Sequence, residues 1–396
     1  MQGAVTLPAD FTLLQVVPEL ETGGAEQTTL DVARAVVRAG GTALVATRGG
    51  RMATRLEADG GRLAPMPVQS KNLLVMLGNA ARLVELIRRE KVSIVHARSR
   101  APAFSALWAA QATNTPFMAT YHGVYSAKSP LKRWYNAIMT RGDLVIANSD
   151  YTRDHVLSEH WLDPKKIVTI PRGVDLARFD PAAVSQERVR ALRAAWGISE
   201  DDPRRVVLLA GRLTRIKGHL TLVDAAVRLK AQGREDFILI FAGDDQGRTE
   251  YREELQQAAI AAGLADRIRL VGHCDDMPAA YLAADLAILP TLVPESFGRA
   301  AVEPQAMGRP VIASAHGGTV ETVVDGETGW LAPAGDAIAW AAALDRALDL
   351  GAERLAAMGA AAAVRARRLY SNDAMCAATL QAYERVLQAR AARAAA

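Results

Sequence analysis

The sequence predicts an α/β protein made of two doubly wound parallel-sheet units. Two observations carry this. Strand-length apolar runs alternate with helix-patterned segments along nearly all of the 396 residues, and the scheme runs through twice. The length fits two domains better than one.

In the first half, strands are expected at Leu13–Val17, Ala43–Thr47, Ser93–His96, Phe117–Tyr121, Leu144–Ala147 and Ile167–Ile170. These runs are continuous rather than alternating, which suits strands buried on both faces of a parallel sheet. Ala25–Ala39 has helical spacing, with Leu30, Ala33 and Val37 on one face and Gly40-Gly41 as its stop. The second half offers strands at Val206–Ala210, Ile238–Ala242, Ile268–Val271, Leu286–Leu289, Val311–Ala313 and Gly329–Leu331. The tail, at Ala337–Leu350, Ala352–Leu369 and Asn372–Ala391, is alanine-rich and reads as helix. The turn-rich stretch Pro171–Pro181 marks the seam. The expected division is 1–172, 173–371 and a last helical piece, 372–396, crossing back to the first domain.

Composition narrows the class. Thirty glycines and 17 prolines are ordinary usage, which excludes collagen-like and low-complexity chains. No apolar run approaches the ~18 residues of a membrane span. The first residues, MQGAVTLPADFTLL, lack a basic stretch ahead of the apolar one, so no secretory signal is expected. Cys274 and Cys376 have no metal-ligand spacing and suggest no disulfide framework. The expectation is a cytoplasmic protein.

Charge is unevenly spread. Residues 1–175 carry 21 Lys and Arg against 15 Asp and Glu; the remainder carries 26 against 28. Within 62–141 there are 12 basic residues and only Glu85 and Glu90 as acids. A solvated face gives the same composition, but such an excess also suits an anionic partner. The stretch Ala127–Met139 adds Trp134, Tyr135 and Ile138 to Lys128, Lys132 and Arg133, a mixture suited to a membrane interface.

Four strand-end segments hold the candidate chemistry. In LPTLVPESFGRAAVEPQAMG, from Leu289 to Gly308, Glu295 lies in a loop before a helix and Glu303 about two turns on. The free N–H groups around Ser296, Phe297 and Gly298 could face a phosphate or hydroxyl, and two carboxylates could grip sugar hydroxyls. In LAGRLTRIKGH, from Leu209 to His219, Arg212 and Lys217 flank a strand-end loop where open sheets bind ligands, and two cations there suit a diphosphate. It is not a Walker A loop. In ELETGGAEQ, Gly23 and Gly24 allow a close backbone approach at a helix start, without a full dinucleotide fingerprint. His122 follows a strand end in TYHGVYS.

Together these segments resemble the retaining glycosyltransferases of the GT-B fold, family 4, which include bacterial lipopolysaccharide and glycolipid enzymes. The resemblance is carried by GRLTRIKG (211–218), FAGDD (241–245), PESFGRAAVE, GRPVIAS (308–314) and GGTVETVVDGETGWL (317–331). The first half contributes GGAE (23–26), HG (122–123), ANS (147–149) and IPRGVD (170–175). It implies two Rossmann-like domains facing across a cleft, the first taking an acceptor and the second a nucleotide-sugar donor. Glu295 would hold hydroxyls of the donor sugar and Glu303 the ribose; Arg212 and Lys217 would neutralise the diphosphate, with the backbone of Phe297 and Gly298 nearby. Gly24 would let its loop approach that diphosphate, and His122 would contact the sugar. His122, Glu295, Arg212 and Lys217 form the expected catalytic set. The donor is expected to be UDP- or GDP-linked, with no metal or other cofactor. The implied acceptor is a lipopolysaccharide, glycolipid or other envelope glycan, lipid-linked or polymeric, with work at the inner membrane face.

Two positions depart from the family pattern. Pro304 stands where a helix-forming residue is usual and predicts a helix that starts late or bends. Arg172 replaces an asparagine, and its place near the seam predicts no loss of activity. Competing readings are other chemistry on this fold, such as a nucleotide-sugar epimerase or polysaccharide synthase, and a non-catalytic nucleotide-sugar-binding partner. No recognition motif accompanies the basic segment, so nucleic acid is not expected as a partner.

Overall fold

A computed structural model describes residues 7–21, 23–125, 129–247 and 249–395. The chain divides into two compact units, Met1–Gly173 with Asn372–Ala396, and Val174–Ser371.

The first unit holds a seven-stranded sheet of β1 (Thr12–Val16), β2 (Thr42–Thr47), β3 (Arg62–Pro65), β4 (Ile94–Ala97), β5 (Phe117–Tyr121), β6 (Leu144–Ala147) and β7 (Ile167–Thr169). Their order is β3-β2-β1-β4-β5-β6-β7, parallel throughout. The winding direction reverses between β1 and β4, and the crevice beyond the carboxyl ends at such a point is where open α/β sheets hold ligands. β1, β4, β5 and β6 are buried along their whole length, as their unbroken apolar runs require. β3 is the strand that sequence patterning does not reveal. It is an edge strand with Arg62 and Pro65 exposed, so it needs no apolar run, and a proline at an edge removes no needed ladder bond.

The helix Gly24–Arg38 buries Thr29, Leu30, Val32, Ala33 and Val36. The residue that completes its core face is Val36 rather than Val37, which is only half-buried. Positions three and four residues on from Ala33 both lie near that face, and Val36 fills the room left by Gly41. The helix Asn372–Ala395 belongs to this unit: Met375, Leu380, Tyr383 and Val386 share a core with Leu13, Leu30, Val36 and Ile146.

The second unit repeats the plan with β8 (Arg205–Ala210), β9 (Phe237–Ala242), β10 (Ile268–Gly272), β11 (Leu286–Leu289), β12 (Val311–Ser314) and β13 (Gly329–Ala332). The order is β10-β9-β8-β11-β12-β13, again parallel, with its reversal between β8 and β11. One face of the sheet packs on Leu222, Leu255 and Trp340, the other on Tyr281, Val302 and Tyr370. Among the described residues no helix is long and apolar enough to cross a membrane.

Candidate active site

In the second unit, tight backbone packing places the site. Beyond β8 the chain turns through Gly211, and a Cβ on Gly243, after β9, would run into the Gly211 carbonyl. A short turn at Arg215–Lys217 leads to Gly218, which has φ +74° and lies so close to the Pro290 carbonyl that no Cβ fits. Leu292 N donates to Ile216 O at 2.8 Å, and Thr291 Oγ1 to the same oxygen at 3.2 Å. The loops after β8 and β11 are thereby fastened at the winding reversal. The result brings two of the expected residues together: Lys217 Nζ lies 2.6 Å from Glu295 Oε1.

Arg212 is exposed, with no hydrogen-bond or ion-pair partner among the described residues. Arg215, by contrast, is committed to Glu254 by two bonds of 2.8 and 2.6 Å. The Glu295 loop is held from below: Gly318 N donates to Glu295 O at 2.7 Å, and a Cβ on Gly318 would press on the backbone of Ser296 and Phe297. Phe297 is a core side chain, edge-on to Tyr370 with centroids 5.4 Å apart, so only its backbone can serve a ligand.

Gly298, at φ +85°, caps the helix Arg299–Ala306, which begins without delay and carries Pro304 inside it. The late start expected from Pro304 does not occur; the proline lies near the last turn, and Met307 N closes it on Glu303 O at 3.2 Å. Glu303 is already engaged. Its Oε1 lies 3.0 Å from Arg299 Nη2, and Tyr281 donates to Oε2 at 3.2 Å. A carboxylate offers about four acceptor positions, so capacity for hydroxyl donors remains. Tyr281 was not legible as a site neighbour, being separated from Glu303 by 22 residues.

In the first unit the glycine pair proves to be crowded by the protein itself. A Cβ on Gly23 would meet the Glu26 carboxylate, and one on Gly24 would meet the Arg172 guanidinium. Arg172 also donates from Nη2 to His122 O at 3.0 Å. Position 172 is therefore no remote seam position, as its place in the sequence suggested, but lies against two of the expected site residues. The His122 ring is held well below the ordinary histidine range, first by burial and then by the positive charges of Arg172 and Arg98. Neither ring nitrogen has a partner among the described residues.

Beneath lies a buried polar network that sequence reasoning missed. Arg98 is 2% exposed and donates to Gln15 Oε1 from Nε at 2.9 Å, with no carboxylate paired to it among the described residues. His96 lies 2.7 Å from both Tyr383 Oη and Thr120 Oγ1. The network's bonded partners lie 22 to 287 residues apart, on strands, just past a strand end and on the last helix, which no local pattern signals.

A cavity of about 880 Å3 opens at the same sheet edge, lined by residues following β1 (Pro18), β4 (Ser99, Arg100) and β5 (Tyr125), and by Lys71 and Lys132. Among the described residues no carboxylate lines it. The Arg100 guanidinium stands 3.9 Å above the Tyr125 ring and donates to Asn136 Oδ1 at 2.8 Å. Residues 126–128, including Lys128 of the basic-aromatic stretch, lie outside the described residues. No group of three or more His, Cys, Asp or Glu placed to hold a metal is present among the described residues.

Two parallel doubly wound units are the fold of the GT-B class of glycosyltransferases. Comparison agrees. The family described as glycosyl transferases group 1 matches residues 191–365, and glycosyltransferase family 4 matches residues 22–178. A crystal structure of a glycosyltransferase from Rickettsia africae is 34% identical, with a TM-score of 0.87, covering 95% of this chain and 98% of that one. The chain belongs to the family 4, group 1 glycosyltransferases. Among curated proteins it is similar to a D-inositol 3-phosphate glycosyltransferase of Salinispora tropica, 34% identical over 56% of this chain and 47% of that protein. The chain thus spans about half the length of the curated relatives it matches. The Anabaena protein HepE, solved in complex with UDP, shares the fold at 23% identity, with a TM-score of 0.81 over 94% of this chain and 99% of that one.

Proposed function

We propose that the chain transfers a hexose-type sugar from a nucleoside diphosphate donor to a phosphate-bearing envelope acceptor, with retention of anomeric configuration and without a metal. The observation that carries this reading is the Lys217–Glu295 contact of 2.6 Å beside the unengaged Arg212 at the β8–β11 reversal. Without a ligand, Glu295 is the counter-ion of Lys217. A bound diphosphate gives the ammonium a second anion to face and leaves Glu295 oxygens for sugar hydroxyls. As the bond from the anomeric carbon to the diphosphate oxygen breaks, Lys217 and Arg212 stabilise the charge on the leaving group. The acceptor oxygen forms the new bond, its proton passes to the departing phosphate, and His122 contacts the transferred sugar. Glu303 takes the ribose hydroxyls, and the backbone of Ser296 and Gly298 faces the donor.

The acceptor is assigned to the first unit, whose cavity presents Lys71, Arg100 and Lys132 and, among the described residues, no carboxylate. Relatives named for D-inositol 3-phosphate make a phosphorylated hydroxyl compound a reasonable class, and a phosphorylated glycolipid offers the same chemistry. A solved neighbour from lipopolysaccharide biosynthesis shares the fold alone.

The test begins with thermal shift against UDP, GDP, ADP, CMP and their sugar conjugates, with no metal added. One nucleoside diphosphate should raise the melting temperature by mass action. With that donor, Lys217→Ala and Glu295→Gln should each lower turnover more than ~10-fold while leaving the melting temperature near wild type. No shift with any nucleotide, or near-normal turnover in both variants, rules the assignment out.

A further inference from the structure

Arg172 follows the last strand of the first sheet, 50 residues beyond His122 in sequence. Its guanidinium engages two loops that leave different strands. Nη2 donates to the His122 carbonyl at 3.0 Å, and Nη1 fills the space that a Cβ on Gly24 would take. Asn148, just past β6, donates to the same carbonyl from Nδ2 at 3.3 Å. The His122 backbone is thus clamped from two elements. A rigid planar fork can meet two backbones at once in a way that an ammonium or a short amide cannot.

The His122 ring is placed quite differently. Both of its nitrogens are shielded from solvent, yet neither has a partner among the described residues. With no hydrogen bond to orient it, the ring is held by packing and by the placement of its own backbone, which the clamp on that carbonyl sets. The charged and titratable groups around it are Arg172, Arg98, His96 and Tyr125. The cations disfavour a charged imidazole, which leaves a neutral ring able to donate from one nitrogen and accept at the other.

We infer that Arg172 is a positioning residue that ties the Gly24 turn to the His122 loop and so aims the His122 ring. A Cβ on Gly24 would displace the Arg172 guanidinium from its place between the two loops. This goes beyond the proposed transfer reaction and rests on it only where turnover is the readout.

The experiment is a double-mutant cycle of wild type, Gly24→Ala, Arg172→Asn and the double variant, with Arg172→Lys as a charge-keeping control. Gly24→Ala should lower kcat ~10-fold in the wild-type background and under ~2-fold in the Arg172→Asn background, since contacting residues couple. Nuclear magnetic resonance titration of the His122 imidazole gives a second, activity-independent reading. In Arg172→Asn the ring should titrate at higher pH than in wild type, while in Arg172→Lys it should stay near wild type. Additive effects in the cycle, or a His122 titration unmoved by Arg172→Asn, overturn the inference. If wild type transfers no sugar, the proposed reaction fails, and the same cycle on unfolding midpoints, together with the titration, still decides the role of Arg172.

Discussion

Lys217 and Glu295, the pair on which the proposed transfer turns, illustrate how little an ion pair need contribute to the fold. Their side chains remain 17% and 28% exposed, and pairs of that kind contribute at most about 1 kcal/mol. In the proposed reaction their worth lies in holding opposite charges ready at one strand end. His219 shows the reverse case, a buried histidine with a structural consequence. It is fully buried, edge-on to Phe241 at 5.1 Å, and burial lowers its pKa from 6.5 to about 4. The unfolded chain takes up its proton near pH 6.5 and the folded chain only near 4. Stability is therefore intact above 6.5 and falls as the pH drops between those values, by roughly 3 kcal/mol at 1.4 kcal/mol per unit. Urea unfolding midpoints at pH 7.5, 5.5 and 4.5 should fall in that order, and His219→Leu should flatten the fall. An identical pH profile in that variant would exclude His219 as its source.

At the scale of elements, the helix Asn372–Ala395 is fixed to its sheet by a polar contact as well as by apolar burial. Tyr383 is buried and lies 2.7 Å from His96 Nδ1. Tyr383→Phe keeps the ring but leaves that nitrogen unpaired, which should cost about 1–3 kcal/mol in denaturant unfolding. A cost near zero would mean that the hydroxyl does not support the histidine. The strands that sequence patterning revealed, such as Phe117–Tyr121 and Leu286–Leu289, were legible because burial on both faces demands unbroken apolar runs. β3 escaped because an edge strand is free of that demand. Arg212, Lys217, Glu295 and Glu303 stood out because charges at strand ends and helix starts are placed by local sequence. The Arg172 clamp and the network of Gln15, His96, Arg98 and Tyr383 did not, because each joins elements far apart in the chain, and a buried polar residue on a strand looks locally like an exposed one.

For the molecule as a whole, the basic excess of the first half resolves into unlike parts. Arg98 is buried, and Arg62 and Arg89 are spent on Glu90 at 2.8 and 3.1 Å. What faces solvent on the short helix Pro130–Asn136 is Lys132 and Arg133 with Leu131 and Trp134, the last two 74% and 54% exposed. Cations beside exposed leucine and tryptophan fit an anionic membrane surface. The full chain should bind phosphatidylglycerol vesicles with a blue shift of Trp134 emission, and release from them in high salt. Binding to neutral vesicles with the same affinity would refute the electrostatic part of that expectation.

The unit formed by Met1–Gly173 and Asn372–Ala396 is discontinuous, interrupted by the whole of Val174–Ser371. On the ribosome, the seven strands are all synthesised before the helix that covers Leu13, Leu30 and Ile146 exists. The intervening unit is continuous and can complete its own core first, since domains fold as units during synthesis at roughly 5–20 residues per second. The earlier part of the chain must therefore wait tens of seconds with part of its apolar surface uncovered. The segment made first is the one finished last, and this delay is when a nascent chain of this design most needs a chaperone.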